Sequence, residues 1–160
     1  MSITALRKDH PLIECLGTLD ELDAFLAQSE IAFKTGGNEC FTGIIGEVRK
    51  ELSSKVMPLI AQVPGLFGPD RKPAEIYPDT KRLEQWITEL KKENPVSGFV
   101  HTWTNPVSAV LNIARTVCRR CERRMVSALA AETVEVENSG GALLTWINRL
   151  SDLLFYLAVS

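Results

Sequence analysis

The stretch "NPVSAVLNIARTVCRRCERRMVSA", residues 105–128, has the pattern of a long amphipathic α-helix. Asn105 is a favourable N-cap, and Pro106 follows at the first helical position. The N–H that proline lacks would have no acceptor within the helix at that position, so its loss costs no hydrogen bond. Apolar and small residues then recur at steps of three and four: Val107, Val110, Leu111, Ala114, Val117, Cys118, Cys121, Met125 and Ala128. This periodicity predicts a helix of about 25 residues with one face turned to a core.

Two further helices are predicted on the N-terminal side of this stretch. Thr18 and Glu21 have the spacing of a capping box, so we expect the first helix to start at Thr18. The glycine pair at residues 36–37 should end it. A second apolar series covers residues 41–63, and Pro58 within it should kink the helix or end it early.

The remaining sequence adds a loop and two more helices. Residues 64–78 are rich in proline and glycine and predict a long surface loop, after which Asp79 caps a helix that ends at residues 94–95. The last helix follows the glycines at 140–141, and its apolar residues recur at steps of four and three: Leu143, Ile147, Leu150, Leu154 and Leu157. No strand alternation competes with these assignments. We therefore predict an all-α, up-and-down bundle of about five helices, with residues 1–160 forming a single domain.

Composition and charge exclude several classes of protein. Lys and Arg number 18 against 20 Asp and Glu, which gives a net charge of -2. Domains that bind nucleic acid are usually basic across a face, so no nucleic-acid partner is expected. No apolar run approaches the roughly 20 residues of a membrane span, and "MSITALRKDH" lacks the apolar block of a signal peptide. We expect a cytoplasmic protein without a membrane partner.

The four cysteines do not suggest a disulfide framework in a chain of this length. Cys118 and Cys121 form a C-x-x-C within the long helix, but neither a second such pair nor a nearby histidine completes a zinc site. A metal or redox role is the alternative interpretation. We expect small residues that face the core, and no metal site.

Half of the ten arginines lie within residues 115–124, against an otherwise acidic chain. We call these five residues the arginine ridge: Arg115, Arg119, Arg120, Arg123 and Arg124. At 100° per residue they lie off the apolar stripe of their helix. Guanidinium groups suit planar, multidentate binding of phosphate or carboxylate. Periodicity alone leaves two interpretations open, a solvated helix face and an anion site.

A second polar group lies in the last helix, within "WINRLSDLLF". Asn148 and Asp152 are four residues apart and project from the same face, with Arg149 beside them. Polar residues this close to the seam of a bundle need partners. They form either a hydrogen-bonded connection between helices or, with the arginine ridge, part of a ligand site built from facing helices.

Three segments resemble the PduO-type ATP:corrinoid adenosyltransferases: "GTLDELDAFL" at 17–26, "ARTVCRRCERRMVSAL" at 114–129 and "INRLSDLLFYLA" at 147–158. They occur in the order and with the spacings of that family, and "RKDHPLIECLG" at 7–17 is similar to the approach to its first helix. The resemblance covers most of the chain outside the predicted loop.

The resemblance implies a helical bundle that assembles as a homotrimer, with ATP and the corrinoid bound between adjacent subunits. The reaction it implies transfers the 5′-deoxyadenosyl group of ATP to the cobalt of reduced cobalamin and releases triphosphate, with magnesium as a cofactor. A reduced cobalt is a strong nucleophile, so such a protein must hold the ATP phosphates, align the attack and make cobalt reduction feasible.

Site residues follow from the same resemblance, position by position. Arg119 and Arg120 would bind the polyphosphate, with Arg119 and Glu122 in catalytic roles. Glu122 would support the arginines or a magnesium ion, and Asn148 would contact the nucleotide. Two residues are implied in an intersubunit salt bridge, Asp20 and Arg115. Phe99 would close off the lower face of the corrin in a cobalamin-binding role.

The sequence departs from this family pattern in two places. Family members carry a Gly- and Thr-rich segment before the first helix, whereas "MSITAL" at 1–6 contains no glycine. The segment after Phe99 reads "VHTWTNP", which places Trp103 where the corrin is expected. His101 is a candidate cobalt ligand in principle, but a lone histidine in a loop is more often simply exposed, and we favour that interpretation. Two functions therefore compete: an adenosyltransferase with impaired turnover, and a non-catalytic relative that binds nucleotide or corrinoid or acts as an oligomeric scaffold.

Overall fold

The computed structural model of the chain describes residues 7–61, 77–98, 103, 105–131 and 139–160. Within these residues the chain is helical and has no strand, so the predicted all-α class is confirmed. The helices are α1 (Pro11–Thr35), α2 (Glu39–Glu51), a π-helical segment (Leu52–Val56), α3 (Met57–Ala61), α4 (Thr80–Glu93), α5 (Pro106–Ala131) and α6 (Ser139–Val159). Most of the predicted proline-rich loop, residues 62–76, lies outside the described residues.

The start of α1 differs from the prediction. The helix begins at Pro11 with His10 as N-cap, and the backbone N–H of Leu12 donates to the imidazole Nδ1. The capping box at Thr18 is therefore wrong. Thr18 lies inside the helix, where its hydroxyl donates to the carbonyl of Glu14 at 2.7 Å. The apolar stripe of α1 begins with Leu12, which is buried in the core. Because burying this residue favours helix there, α1 starts two turns before the predicted position at Thr18.

The second predicted helix is interrupted near Pro58, as expected. Its first part is α2, and the π-helical segment at Leu52–Val56 leads into α3. A proline in a helix cannot donate to the carbonyl four residues earlier, and its ring clashes there, so a wider turn before it relieves both problems. The Ser54 hydroxyl donates to the carbonyl of Lys50 at 2.6 Å, which satisfies an acceptor next to the interruption.

The helices surround one core. α5 packs against α1 and α6, while α2 packs against α1 and α4 against α6. Their order around the core is thus α2, α1, α5, α6, α4, with α5 on the opposite side from the gap between α2 and α4. The predicted stripe of α6 is confirmed, since all five of its residues are buried: Leu143, Ile147, Leu150, Leu154 and Leu157.

Polar contacts also hold α1 against α2. Arg49 of α2 donates through Nε and Nη2 to both oxygens of Asp23, at 2.9 and 3.1 Å, and through Nη1 to Glu30 at 2.8 Å. These hydrogen bonds raise the pKa of Arg49 above its ordinary value. The three side chains are partly buried, and the bidentate geometry fixes how the two helices lie against each other.

One helix has the length and composition of a membrane span. The window Gly140–Val159 of α6 has a mean hydropathy of 1.3, and half of it is buried inside the bundle. The central helix of a bundle passes the same test because its apolar residues face a protein core. This observation is therefore weak evidence for a membrane segment.

Candidate functional site

The arginine ridge lies on the outer part of α5, as the periodicity predicts. The apolar residues of the helix point into the core, with Ala114, Val117 and Cys121 all buried. The ridge residues are exposed or half-buried along the rest of the helix surface. α1 runs antiparallel to α5 on one side of the ridge, and α6 lies on the other. Side chains from both neighbours can therefore contact it.

Two ridge arginines are neutralised by α1. Arg120 forms an ion pair with Glu21, and Arg124 forms one with Glu14 at 3.1 Å. Sequence analysis missed both carboxylates. Glu14 and Glu21 lie two helical turns apart on one face of α1, but only the packing of α1 against α5 shows that this face meets the ridge. The structure thus gives Arg120, a predicted phosphate ligand, a carboxylate partner within the subunit.

The other three arginines form no ion pair within the described part of the chain. Arg115 donates from Nε to the amide oxygen of Asn112 at 3.0 Å, which leaves its charge uncompensated. Arg123 donates to the backbone carbonyl of Arg119 at 3.2 Å. The guanidinium of Arg119 is exposed and has no hydrogen-bond partner among the residues that the structure describes. Positive charge therefore concentrates along the line from Arg115 to Arg123.

The polar residues of α6 meet the ridge. Asn148 donates from Nδ2 to Oε1 of Glu122 at 3.0 Å, which joins α6 to α5 through two part-buried side chains. Glu122 has this partner in place of an intrahelical pairing with an arginine. The arrangement satisfies the expected connection between helices and places an amide and a carboxylate one turn from Arg119. Three predicted site residues are thereby brought together.

Arg149 and Asp152 form the adjoining contact. Arg149 donates from Nη1 to Asp152 at 3.0 Å, and its Nε lies 3.6 Å from a carboxylate oxygen of Glu84 on α4. The two residues that share a face of α6 therefore have different hydrogen-bond partners: Asp152 accepts from Arg149 of its own helix, and Asn148 donates to Glu122 of α5.

The C-x-x-C residues face the core, as expected. Cys118 donates from Sγ to the carbonyl of Ile147 at 3.2 Å, and Cys121 donates to that of Thr18 at 3.1 Å. Burial raises the pKa of the Cys118 thiol well above its ordinary value and that of Cys121 to about 12. Both therefore stay protonated near neutral pH. Within the described ranges no group of three or more His, Cys, Asp or Glu side chains is arranged to hold a metal ion.

The remaining candidates are separate from this cluster or lie beyond the described residues. Phe99 and His101 fall outside the part of the chain that the structure describes. Trp103 is half-buried and packs against the hydrophobic core. Asp20 is exposed on α1 and has no ion-pair or hydrogen-bond partner among the described side chains. Asp20 and Arg115 do not pair with each other within one subunit.

Comparison with known protein families decides the ancestry of this bundle. The family model described as cobalamin adenosyltransferase matches residues 1–160. The chain belongs to the cobalamin adenosyltransferase family. The family resemblance inferred from the three sequence segments is thus confirmed.

Individual family members agree with this assignment. The chain is 31% identical over 155 residues to the corrinoid adenosyltransferase PduO of Citrobacter freundii, covering 94% of this chain and 42% of that protein. It is 41% identical over 91 residues to the corrinoid adenosyltransferase of Mycobacterium tuberculosis, covering 56% of this chain and 45% of that protein. The chain therefore spans less than half the length of these family members.

Solved structures of the family share the fold. A variant of the PduO-type adenosyltransferase of Lactobacillus reuteri, complexed with ATP, superposes with a TM-score of 0.81 at 22% identity, covering 96% of this chain and 82% of that one. A second variant of the same enzyme, complexed with cobalamin and ATP, gives a TM-score of 0.78 at 23% identity, covering 96% and 81%. At this identity the likeness establishes the helical bundle.

Proposed function

We propose that this chain is a corrinoid adenosyltransferase, which transfers the 5′-deoxyadenosyl group of ATP to the cobalt of a reduced corrinoid and releases triphosphate. The observation that carries the proposal is the cluster of Arg119, Glu122 and Asn148 on the facing surfaces of α5 and α6. It combines a guanidinium that has no partner among the described residues with an oriented amide and a carboxylate, in a chain of the cobalamin adenosyltransferase family.

Arg119 would bind the triphosphate of ATP. In the proposed reaction the cobalt electron pair forms a bond to C5′, and the bond from C5′ to the triphosphate oxygen breaks. Negative charge grows on that oxygen as it leaves. A guanidinium without an internal carboxylate partner can donate to phosphate oxygens without first breaking an ion pair. Arg119 meets this condition, whereas Arg120 is bound to Glu21.

Asn148 and Glu122 would position the nucleotide beside Arg119. Their mutual hydrogen bond fixes the Asn148 amide, so its oxygen is presented in one orientation. Fixed polar groups favour the aligned attack because little conformational freedom remains to be lost. Phe99 is proposed to cover the lower face of the corrin, on the family resemblance alone.

The cluster suits a magnesium ion that arrives bound to the phosphates of ATP. Mg²⁺ in phosphoryl sites is commonly held by one or two carboxylates, substrate phosphates and water. Glu122 provides one such carboxylate, and only one of its oxygens receives the hydrogen bond from Asn148. The ion would neutralise phosphate charge, while Arg119 and Asn148 hold the nucleotide.

The cellular location is a separate question, and a cytoplasmic location remains a prediction from the sequence.

Homotrimer formation is the expected quaternary state, with Asp20 of one subunit paired with Arg115 of its neighbour. Neither group has an ionic partner among the residues that the structure describes, which supports this proposal. Asp20→Arg is expected to convert the trimer to monomers, because it would place like charges together. The double variant Asp20→Arg, Arg115→Asp should restore the trimer. Sedimentation velocity distinguishes these states, and a wild-type monomer at micromolar concentration would contradict the proposal.

Adenosyl transfer is tested directly with the purified chain, ATP, magnesium and chemically reduced cobalamin. We expect the absorbance change of carbon–cobalt bond formation and the release of one triphosphate per cobalt alkylated. Omitting the reductant is the control, since oxidised cobalamin lacks the nucleophile. Tight ATP or cobalamin binding without product would instead support the non-catalytic relative.

A further inference from the structure

A cavity of about 430 Å³ opens between α2 and α4, the two helices that leave a gap in the ring around the core. Its volume lies within the range of roughly 300–1,000 Å³ typical of small-molecule sites. Trp146 of α6 lines it together with residues of the two flanking elements: Glu47, Val48, Lys50, Glu51, Asp79, Arg82, Leu83 and Trp86. The cavity lies across the bundle from the arginine ridge.

The apolar lining is dominated by aromatic residues. Trp146 is fully buried and Trp86 is 7% exposed, with buried Leu83 and Val48 beside them. The guanidinium of Arg82 lies over the Trp86 ring at 4.7 Å from its centroid. Flat aromatic side chains and branched aliphatic ones together form a surface suited to a planar apolar group.

Two hydrogen-bond donors of the lining have no acceptor. The indole Nε1 of Trp146 is buried without a partner among the described residues, and leaving such a donor unpaired is unfavourable. Lys50 is exposed at the rim, and its ammonium group forms no ion pair or hydrogen bond within the described chain. Both donors can therefore serve an acceptor on a bound ligand.

Each acidic residue of the lining has a partner within the subunit. Glu51 accepts from the backbone N–H of Asp79 at 2.8 Å and pairs with Lys55 through its other oxygen. Asp79 accepts from the N–H of Arg82 at 3.1 Å as the N-cap of α4. Glu47 lies 3.6 Å from the Arg82 guanidinium. Each acidic residue of the lining therefore has a cationic or N–H partner among the described residues, whereas the Trp146 indole N–H and the Lys50 ammonium have none.

We propose that this cavity binds a small aromatic carboxylate. The ring would lie against Trp86, Trp146 and Leu83, and the carboxylate oxygens would accept from Lys50 and from the Trp146 indole N–H. A neutral aromatic molecule would use the apolar lining alone, and water would use only the donors. This site is separate from the proposed adenosyl-transfer site, because none of its lining residues belongs to the arginine ridge or to the cluster of Arg119, Glu122 and Asn148.

The probe for this site is 2-naphthoate, compared with 2-naphthylmethanol, which has the same ring system without the charge. Indole N–H resonances of the ¹⁵N-labelled full chain report on its three tryptophans. We expect 2-naphthoate to shift the Trp146 and Trp86 signals saturably and to leave that of Trp103 unmoved. Assignment uses Trp146→Phe; if that variant does not fold, Trp86→Phe and Trp103→Phe assign the third signal by elimination.

Lys50→Met should weaken 2-naphthoate binding by about threefold to tenfold, as expected for loss of one partly solvated charge-assisted contact. It should leave 2-naphthylmethanol binding unchanged. Lys92→Met is the matched control, since Lys92 is exposed on α4 and does not line this cavity. Absence of a saturable shift at Trp146 would overturn the proposal, as would equal effects of the two lysine substitutions.

Discussion

Arg119→Ala is expected to lower kcat/KM for ATP in cobalamin adenosylation by about a hundredfold, the usual effect of removing one preorganised donor from developing negative charge. Arg119 is the exposed ridge arginine whose guanidinium has no partner among the described residues, so its full charge is available to the triphosphate. Steady-state rates at saturating reduced cobalamin, measured over a range of ATP concentrations, give this ratio.

The matched control for this variant is Arg124→Ala. Arg124 lies on the same helix, but Glu14 of α1 already neutralises it at 3.1 Å. Its removal should change kcat/KM by less than about threefold, as expected for an exposed ion pair of small net value. Arg119→Lys separates charge from geometry, because lysine keeps the charge but lacks the planar fork. Equal losses in the two alanine variants would show that the ridge acts as an unspecific cationic field.

The sequence predicted most of the helices because their signals are local. Asn105 caps α5 through a hydrogen bond to the N–H of Ser108 at 2.8 Å, and Asp79 caps α4 in the same way. The apolar spacing of α6 is set by the helical repeat, which holds whatever the helix packs against. Caps and periodicity therefore identify both the elements and their buried faces.

The start of α1 shows where a local signal fails. Thr18 and Glu21 have the spacing of a capping box, yet both lie within a longer helix. Thr18 donates to a carbonyl one turn earlier, which a helix interior permits. The competing signal was Pro11 at the first helical position, followed by apolar residues that continue the stripe. Tertiary burial of that stripe outweighs the local motif.

Partners across helices were the part of the site that the sequence could not supply. The pairs Glu21 with Arg120 and Asn148 with Glu122 depend on how far α1 and α6 are shifted along α5. Helix periodicity gives the face of a residue but not this shift. Periodicity therefore could not say which ridge arginines have carboxylate partners, whereas packing pairs two of them with α1 and leaves the other three without an ion pair among the described residues.

Alkaline pH is expected to destabilise the bundle steeply, because three of its thiols are buried in the core. Burial raises the pKa of Cys15 and of Cys121 to about 12, from 9.0 in the unfolded chain, and raises that of Cys118 as well. Above the unfolded pKa, only the unfolded chain releases these protons. Each thiol then lowers the free energy of unfolding by roughly 1.4 kcal/mol per pH unit, until pH reaches the folded pKa.

Cysteine substitutions separate this contribution from other groups that titrate at high pH. Cys15→Ala should flatten the fall in unfolding free energy between about pH 9 and pH 11 by the share of one thiol, roughly 1.4 kcal/mol per pH unit. Cys40→Ala is the control, because Cys40 is exposed and its replacement removes a thiol that is not buried in the core. Urea unfolding across this range measures the slopes. All other ionisable groups are common to both variants, so a Cys15→Ala slope equal to that of Cys40→Ala would contradict the burial of a protonated Cys15.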